Sequence, residues 1–239
     1  MKNQIEAAEN ILILAAEKPS LDTIAASWAL SHLLKSLGKN PVVLQREGDA
    51  DSFSFLSPPE ETETEIKGAR DFVLSFDTAR NRIMDFRTEN KVGAFEIYIT
   101  PEHGAIDPRD FSFIPAKFKY DLVIVLGCQS LENLGSTSEK NSDLFFEVPI
   151  ANIDNASTNE NFGQINLVDI TASSVSETIA EIFKNIWGKQ ADKDIAQCLL
   201  AGLIAATHNF QSKKTTPQTF LAASWLIEKG ADQQGVVRN

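Results

Sequence analysis

The stretch 11–38 constrains the fold of this chain more than any other part of it. It opens with Ile-Leu-Ile-Leu-Ala-Ala, a short uncharged run of the composition found in strands buried on both faces. Residues 17–22 interrupt that run. Pro19 prevents an early helix, and Ser20 or Asp22 can cap the one that follows. Ala26, Leu30, Leu33 and Leu37 then recur at helical spacing, and Gly38 supplies the stop. Residues 41–45 read as a second strand, which makes 11–45 one β-α-β unit. Such units receive ligands at the carboxyl end of the first strand, against the amino end of the helix. Here that place is residues 16–22.

Beyond this unit, 71–76, 121–126 and 149–154 read as further strands, with 164–168 as a last edge. Residues 91–100 alternate, with Val92, Ala94 and Glu96 against Phe95, Ile97 and Ile99. They read as a partly exposed strand paired with 82–87, in a hairpin-like excursion over about residues 77–113. That strand offers an edge for a protein partner. The stretch 46–68 reads as a loop, and its Glu60, Glu61, Glu63 and Glu65 as a solvated charge run. Three helices close the chain. Thr171 caps the first and Gly188 ends it; 194–210 is apolar nearly all round; Thr216-Pro217 opens the last, and Gly230 stops it. Strands alternating with helices predict one α/β domain over 1–239, a doubly wound, mostly parallel sheet with helices on both faces.

Charge and cysteine content narrow the function classes. With 22 basic against 33 acidic residues the net charge is −11, which opposes extended nucleic-acid binding but leaves room for a short nucleotide in a small pocket. Cys128 and Cys198 lie in apolar runs, as buried thiols of a reducing compartment do. The start of the chain is polar, and the charge-free helical run at 195–207 falls short of the ~20 apolar residues of a membrane span. A soluble, cytoplasmic protein without a membrane partner is expected.

Four stretches, in order along nearly the whole chain, resemble the motifs of the DHH phosphoesterases. Residues 11–28 are similar to the first, a strand followed by His-x-x-Pro-Asp-x-Asp. Residues 121–135 (Asp-Leu-Val-Ile-Val-Leu-Gly-Cys-Gln-Ser-Leu-Glu-Asn-Leu-Gly) resemble the second, a strand ending in Asp with a following Leu-Glu. Residues 152–169 resemble the Asp-His-His segment with its downstream Asn, Phe and Gly. Residues 201–232 resemble the fourth motif, Ala-Gly with a later Asp-Thr and Phe, then Thr-Thr-Pro and a helix ending Gly-Ala-Asp. The resemblance implies a phosphoesterase of the nanoRNase, phosphoadenosine-phosphate phosphatase or cyclic-dinucleotide phosphodiesterase kind. It also implies two divalent metals, usually manganese, that aim a bound hydroxide at phosphorus. Cations roughly 4 Å apart need several carboxylates and imidazoles around them.

Carried over residue by residue, that ligand set is mostly missing. The first-motif His falls on Ala16 and its first Asp on Ser20, while its second Asp is kept as Asp22. The second-motif Asp falls on Gly127. Asp-His-His becomes Asp154-Asn155-Ala156, and the fourth-motif Asp falls on Ala206. Methyl groups and a bare glycine cannot ligate a metal. The frame around them (Pro19, Phe162, Gly163, Thr207, Phe210, Pro217) is retained, the pattern of a binding or structural descendant of an enzyme.

The pocket side chains this leaves are Asp22, Asp154, Asn155 and His208. Asp22 reads first as a helix cap or an acceptor of backbone N–H groups, His208 as a wall residue, and Cys128 as packing. The resemblance further implies a smaller associated substrate domain, which is absent from or truncated in this sequence. Three readings follow. One is a non-catalytic pseudoenzyme with no cofactor, binding a nucleotide, a phosphate ligand or a protein partner. Another is an active Mn2+-dependent phosphodiesterase or phosphatase on short oligonucleotides or cyclic dinucleotides, using Asp22, Asp154 and His208. The third is a structural subunit pairing with an active paralogue or with itself.

Overall fold

The computed structural model describes residues 1–46, 48, 51–67, 70–79 and 81–238, the side chains of 52, 71, 115 and 116 excepted. The loop read at 46–68 and the chain end at Asn239 therefore lie partly outside the described residues. The elements follow in chain order as α1 (Lys2–Ala7), β1 (Asn10–Ala15), α2 (Leu21–Ser36), β2 (Asn40–Leu44) and β3 (Thr62–Glu63). Next come β4 (Arg70–Phe76), β5 (Ile83–Lys91), β6 (Ala94–Pro101) and β7 (Phe111–Phe118). After β8 (Leu122–Leu126) the chain forms α3 (Ser136–Lys140), α4 (Ser142–Glu147), β9 (Ile150–Asp154) and β10 (Ile165–Val168). It finishes with α5 (Val175–Trp187), α6 (Lys193–Thr207), α7 (Pro217–Glu228) and α8 (Gln233–Arg238).

Two compact units divide these elements, one of Met1–Ala69 with Lys119–Asn239 and the other of Arg70–Phe118. In the first, six strands form a parallel sheet in the order β10-β9-β8-β1-β2-β3 among the described residues. The α/β expectation is met. β1 is central because both its faces are apolar, and alternation sends successive residues to opposite sides. Ile11 and Ile13 join the core cluster that also holds residues of α2, α5 and α6, whereas Leu12 and Leu14 are just as buried outside that cluster. A polar residue at either set would face a dry interior, and Leu→Ala there costs about 2–5 kcal/mol. Helices α2, α5, α6 and α7 pack on one another as a layer.

Helix boundaries follow local chemistry. Ser20 caps α2, accepting the Thr23 N–H at 3.2 Å, and Gly38 at φ +75 reverses the chain after it. Thr216 caps α7 with Pro217 at its first position. The cap of α5 is Ser174, not Thr171, which instead donates to Asp169 at 2.7 Å. Two residue pairs of the acidic loop do find strand register: β3 lies parallel to β2, a pairing too short to leave a periodic signal.

The second unit consists of two antiparallel ribbons, β4 with β7 and β5 with β6. The single strand expected over 91–100 is broken at its start, because the chain turns at Val92–Gly93 with Gly93 at φ +80. In register, Phe86, Phe95, Ile97 and Ile99 share one face of the β5–β6 ribbon, while Arg87, Glu89, Glu96 and Tyr98 share the other. The charged face is internally satisfied: Lys91 reaches Glu96 at 2.7 Å, and the Arg87 guanidinium lies 4.4 Å from the Tyr98 ring centre. On the apolar face Phe86 and Phe95 are exposed.

Candidate ligand-binding site at the carboxyl ends of the parallel strands

Three of the positions singled out by sequence are the first residues beyond three adjacent strands. Ala16 follows β1, Gly127 follows β8 and Asn155 follows β9. Ser20 is the cap of α2, Asp22 lies in its first turn, and Ala206 is the penultimate residue of α6. All six line one of two cavities. One, of about 460 Å³, is bounded by Ala16, Lys18, Gly127 and Gln129. The other, of about 480 Å³, is bounded by Ser20, Asp22, Asn155, Ser173, Ala206, Ser212 and Lys214. Thr23 stands between them. Its Oγ1 lies 2.8 Å from Ser20 Oγ, and a Cβ added at Gly127 would come within 2.7 Å of it.

The Asp22 carboxylate is committed to the scaffold. Oδ2 accepts the Val175 N–H at 2.7 Å and Oδ1 the Ser176 N–H at 3.0 Å, so Asp22 satisfies the amino end of α5 from across the domain. Burial pushes its carboxyl up to about 6, against the lowering effect of the hydrogen bonds from Ser176 and Val175. Glu177 lies beside it, itself buried. Its Oε2 accepts from Ser173 N–H at 3.1 Å, from the Ser173 hydroxyl and from the Thr219 hydroxyl of α7 at 2.9 Å. Sequence reasoning passed over Glu177, although the Ser174-x-x-Glu177 spacing is a helix-start signal. It also passed over Lys214 and Ser212, which sit in a polar stretch without periodicity.

The other sequence candidates separate. Asp154 is buried and turned inward: Oδ1 accepts the Asn155 N–H at 2.8 Å and Oδ2 the Asn159 amide at 2.8 Å. His208 is exposed, left-handed at φ 49 as the cap ending α6, and lines neither cavity. The structure thus brings Asp22 and Asn155 together but not Asp154 or His208. Asn155 donates to the Ala172 carbonyl at 3.1 Å, which ties the end of β9 to the approach of α5. The Cys128 thiol donates to the Ser130 carbonyl at 3.0 Å, and burial pushes it up to about 12, far from a nucleophile's range. Among the described residues, no three His, Cys, Asp or Glu side chains converge where they could hold a metal ion. No helix among them is long and apolar enough to cross a membrane.

The close approach at Gly127 yields a prediction. Gly127→Asp puts a carboxylate at the tip of β8 but drives its Cβ into Thr23. A loss of about 1–3 kcal/mol is expected, with no gain in Mn2+ affinity. Thermal melting and a calorimetric Mn2+ titration of the variant read both; tight Mn2+ binding by this single variant is the contrary result.

The class defined by this architecture is a mostly parallel α/β fold, and its likeness to solved structures is one of fold. The chain superposes on an exopolyphosphatase-related protein from Bacteroides fragilis with a TM-score of 0.68 at 17% identity, covering 99% of this chain and 57% of that one. It also superposes on a Methanococcus jannaschii protein assigned by name to the family II inorganic pyrophosphatases, with a TM-score of 0.54 at 16% identity, covering 95% and 60%. By sequence it is similar to a bifunctional oligoribonuclease and PAP phosphatase NrnA of Thermus thermophilus, 28% identical over 81 residues. The uncharacterized MG371 homolog of Mycoplasma pneumoniae is 30% identical over 84 residues. These matches span 34% and 35% of this chain but only 25% and 26% of the two relatives. No family model matches the chain.

Proposed function

We propose that this chain is a DHH phosphoesterase-like protein without a working two-metal centre, a non-catalytic binder of a nucleotide or other phosphate-bearing ligand in a cytoplasmic setting. The donor set at the strand ends carries the reading. Two divalent ions in a shared site need several anionic or imidazole ligands. The six positions supply one carboxylate, and both its oxygens already accept backbone N–H groups of α5. The residues present do not fit the metals that the fold family implies. Gly127 adds a second obstacle, since Thr23 occupies the space that a side chain there would need. What the fold retains is an open, polar pair of cavities at the place where parallel α/β sheets receive ligands.

The test is hydrolysis. Purified protein with excess Mn2+ is given a short RNA dinucleotide, a cyclic dinucleotide, phosphoadenosine phosphate and pyrophosphate. The expected result is no turnover above buffer with any of them. Turnover that disappears on adding a chelator would overturn the reading in favour of an active metal-dependent phosphoesterase. A protein partner is the second reading, favoured by the apolar face of the β5–β6 ribbon with its exposed Phe86 and Phe95.

A further inference from the structure

We infer that the β5–β6 ribbon joins two copies of this chain, with β5 of one copy antiparallel to β5 of the other in a register centred on Thr88. This narrows the protein-partner reading above to a second copy. It rests on the ribbon alone and is independent of the metal question.

β5 is an open edge. Among the described residues it pairs with β6 and with no other strand, and its side chains are exposed from Ile83 to Lys91. The two-residue turn at Val92–Gly93 makes Lys91 and Ala94 a hydrogen-bonded pair, so by alternation Arg87 and Glu89 also spend their backbone groups on β6. The N–H and C=O of Phe86, Thr88 and Asn90 therefore point away from β6. Such an edge is a template for another strand.

The charge pattern selects the strand that fits. Asp85, Arg87, Glu89 and Lys91 alternate minus, plus, minus, plus along one face. Reversed end to end, this series is its own complement. Two antiparallel copies centred on Thr88 set Arg87 opposite Glu89 and Asp85 opposite Lys91, in both directions. A register centred on Arg87 or Glu89 sets like charges against each other, and one centred on Phe86 or Asn90 leaves half of the charges unmatched. Because the outward backbone groups belong to the residues between the charges, the charged side chains meet at the non-hydrogen-bonded positions, where opposite side chains are closest. Within one copy Glu89 lies 3.8 Å from both Arg87 and Lys91, loose contacts between exposed groups. Lys91 is already held by Glu96 at 2.7 Å, so the inner pair, Arg87 with Glu89, carries the selectivity. Pairing also turns a two-stranded ribbon, marginal by itself, into four strands, with Phe86, Phe95, Ile97 and Ile99 of both copies on one continuous face.

The test is sedimentation of the full chain across a concentration series, with charge reversals and a cysteine probe. The chain should dimerise reversibly. Arg87→Glu and Glu89→Arg each create two like-charge pairs across the edge and should weaken the dimer at least about tenfold. The double reversal restores both pairs and should recover it, and mixing the two single variants should give a mixed dimer tighter than either alone. Cys128 and Cys198 are buried, so Thr88→Cys adds an exposed thiol. Across the two-fold axis its Cα lies about 5.5 Å from its counterpart, within disulfide reach, and mild oxidation should cross-link it. Asn90→Cys, about 14 Å from its counterpart, should stay uncross-linked. A chain that is monomeric throughout overturns the inference. So does a dimer indifferent to both reversals, a loss that neither the double reversal nor mixing repairs, or cross-linking at position 90 in place of 88. Each of these failures leaves the hydrolysis test, and the non-catalytic reading it addresses, untouched.

Discussion

Replacing Asp22 with alanine should destabilise the protein by about 2 kcal/mol at neutral pH and by considerably more in mild acid. Two buried N–H groups at the amino end of α5 lose their acceptor, at about 1–3 kcal/mol each. Release of a desolvated carboxylate offsets part of that loss. The pH dependence has a definite sign. Burial raises the carboxyl from 3.8 to about 6, so between those values the folded protein holds a proton that the unfolded chain has given up. The stability tied to this proton is fully present below about pH 4 and is lost as pH rises through about 6. At about 1.4 kcal/mol per pKa unit, the deficit of Asp22→Ala relative to wild type should widen by up to about 3 kcal/mol between neutral pH and about pH 4. Urea denaturation of both proteins across that range measures the difference, in which the other carboxylates cancel. Asp22→Asn keeps one acceptor and cannot titrate, so it should behave like alanine in its slope. A difference that is flat, or that narrows in acid, would mean the N–H bonds outweigh desolvation.

Gly202→Ala is expected to cost about 3 kcal/mol, lowering the melting midpoint by about 10 °C. Helix propensity alone says the opposite, since Gly→Ala inside a helix gains about 1 kcal/mol. Gly202 is an interior residue of α6, but a Cβ there would overlap Ser176 Oγ of α5 and come within 3.0 Å of Asp22 Oδ1 and 3.1 Å of the Asp22 carbonyl. The three helices meet at this point because α6 has no side chain in the way. Ser176→Ala removes the nearest obstacle, and the double variant should be less damaged than the two single losses added together. A Gly202→Ala protein as stable as wild type would mean the helices can separate at no cost.

Both predictions concern one junction, where the first turn of α2, the start of α5 and the middle of α6 converge. Polar groups at this junction are consumed in holding the scaffold, which accounts for Asp22 lining a cavity while acting as a cap of α5. The same economy appears at β9, where Asp154 and Asn155 bond to the segments beside them.

The parallel sheet is legible in the chain alone, because a strand buried on both faces needs an unbroken branched-chain run and 11–14 and 122–126 both have one, whereas its strand order and the short β3 left no such signal. The sequence also placed the turn between the first strand and its helix at 16–22, since Pro19 and Ser20 fix where the helix can begin. It could not decide what Asp22 bonds to, because Val175 and Ser176 lie about 150 positions away and no local pattern reports them. Nor could it turn the ribbon at Val92–Gly93 against an alternation that runs through both residues, or separate His208 from the cavity when three left-handed residues after α6 lead the chain off. Those outcomes depend on which groups the folded chain brings within hydrogen-bonding distance. Tertiary packing alone sets that distance, because local propensity carries no term for a partner distant in the chain.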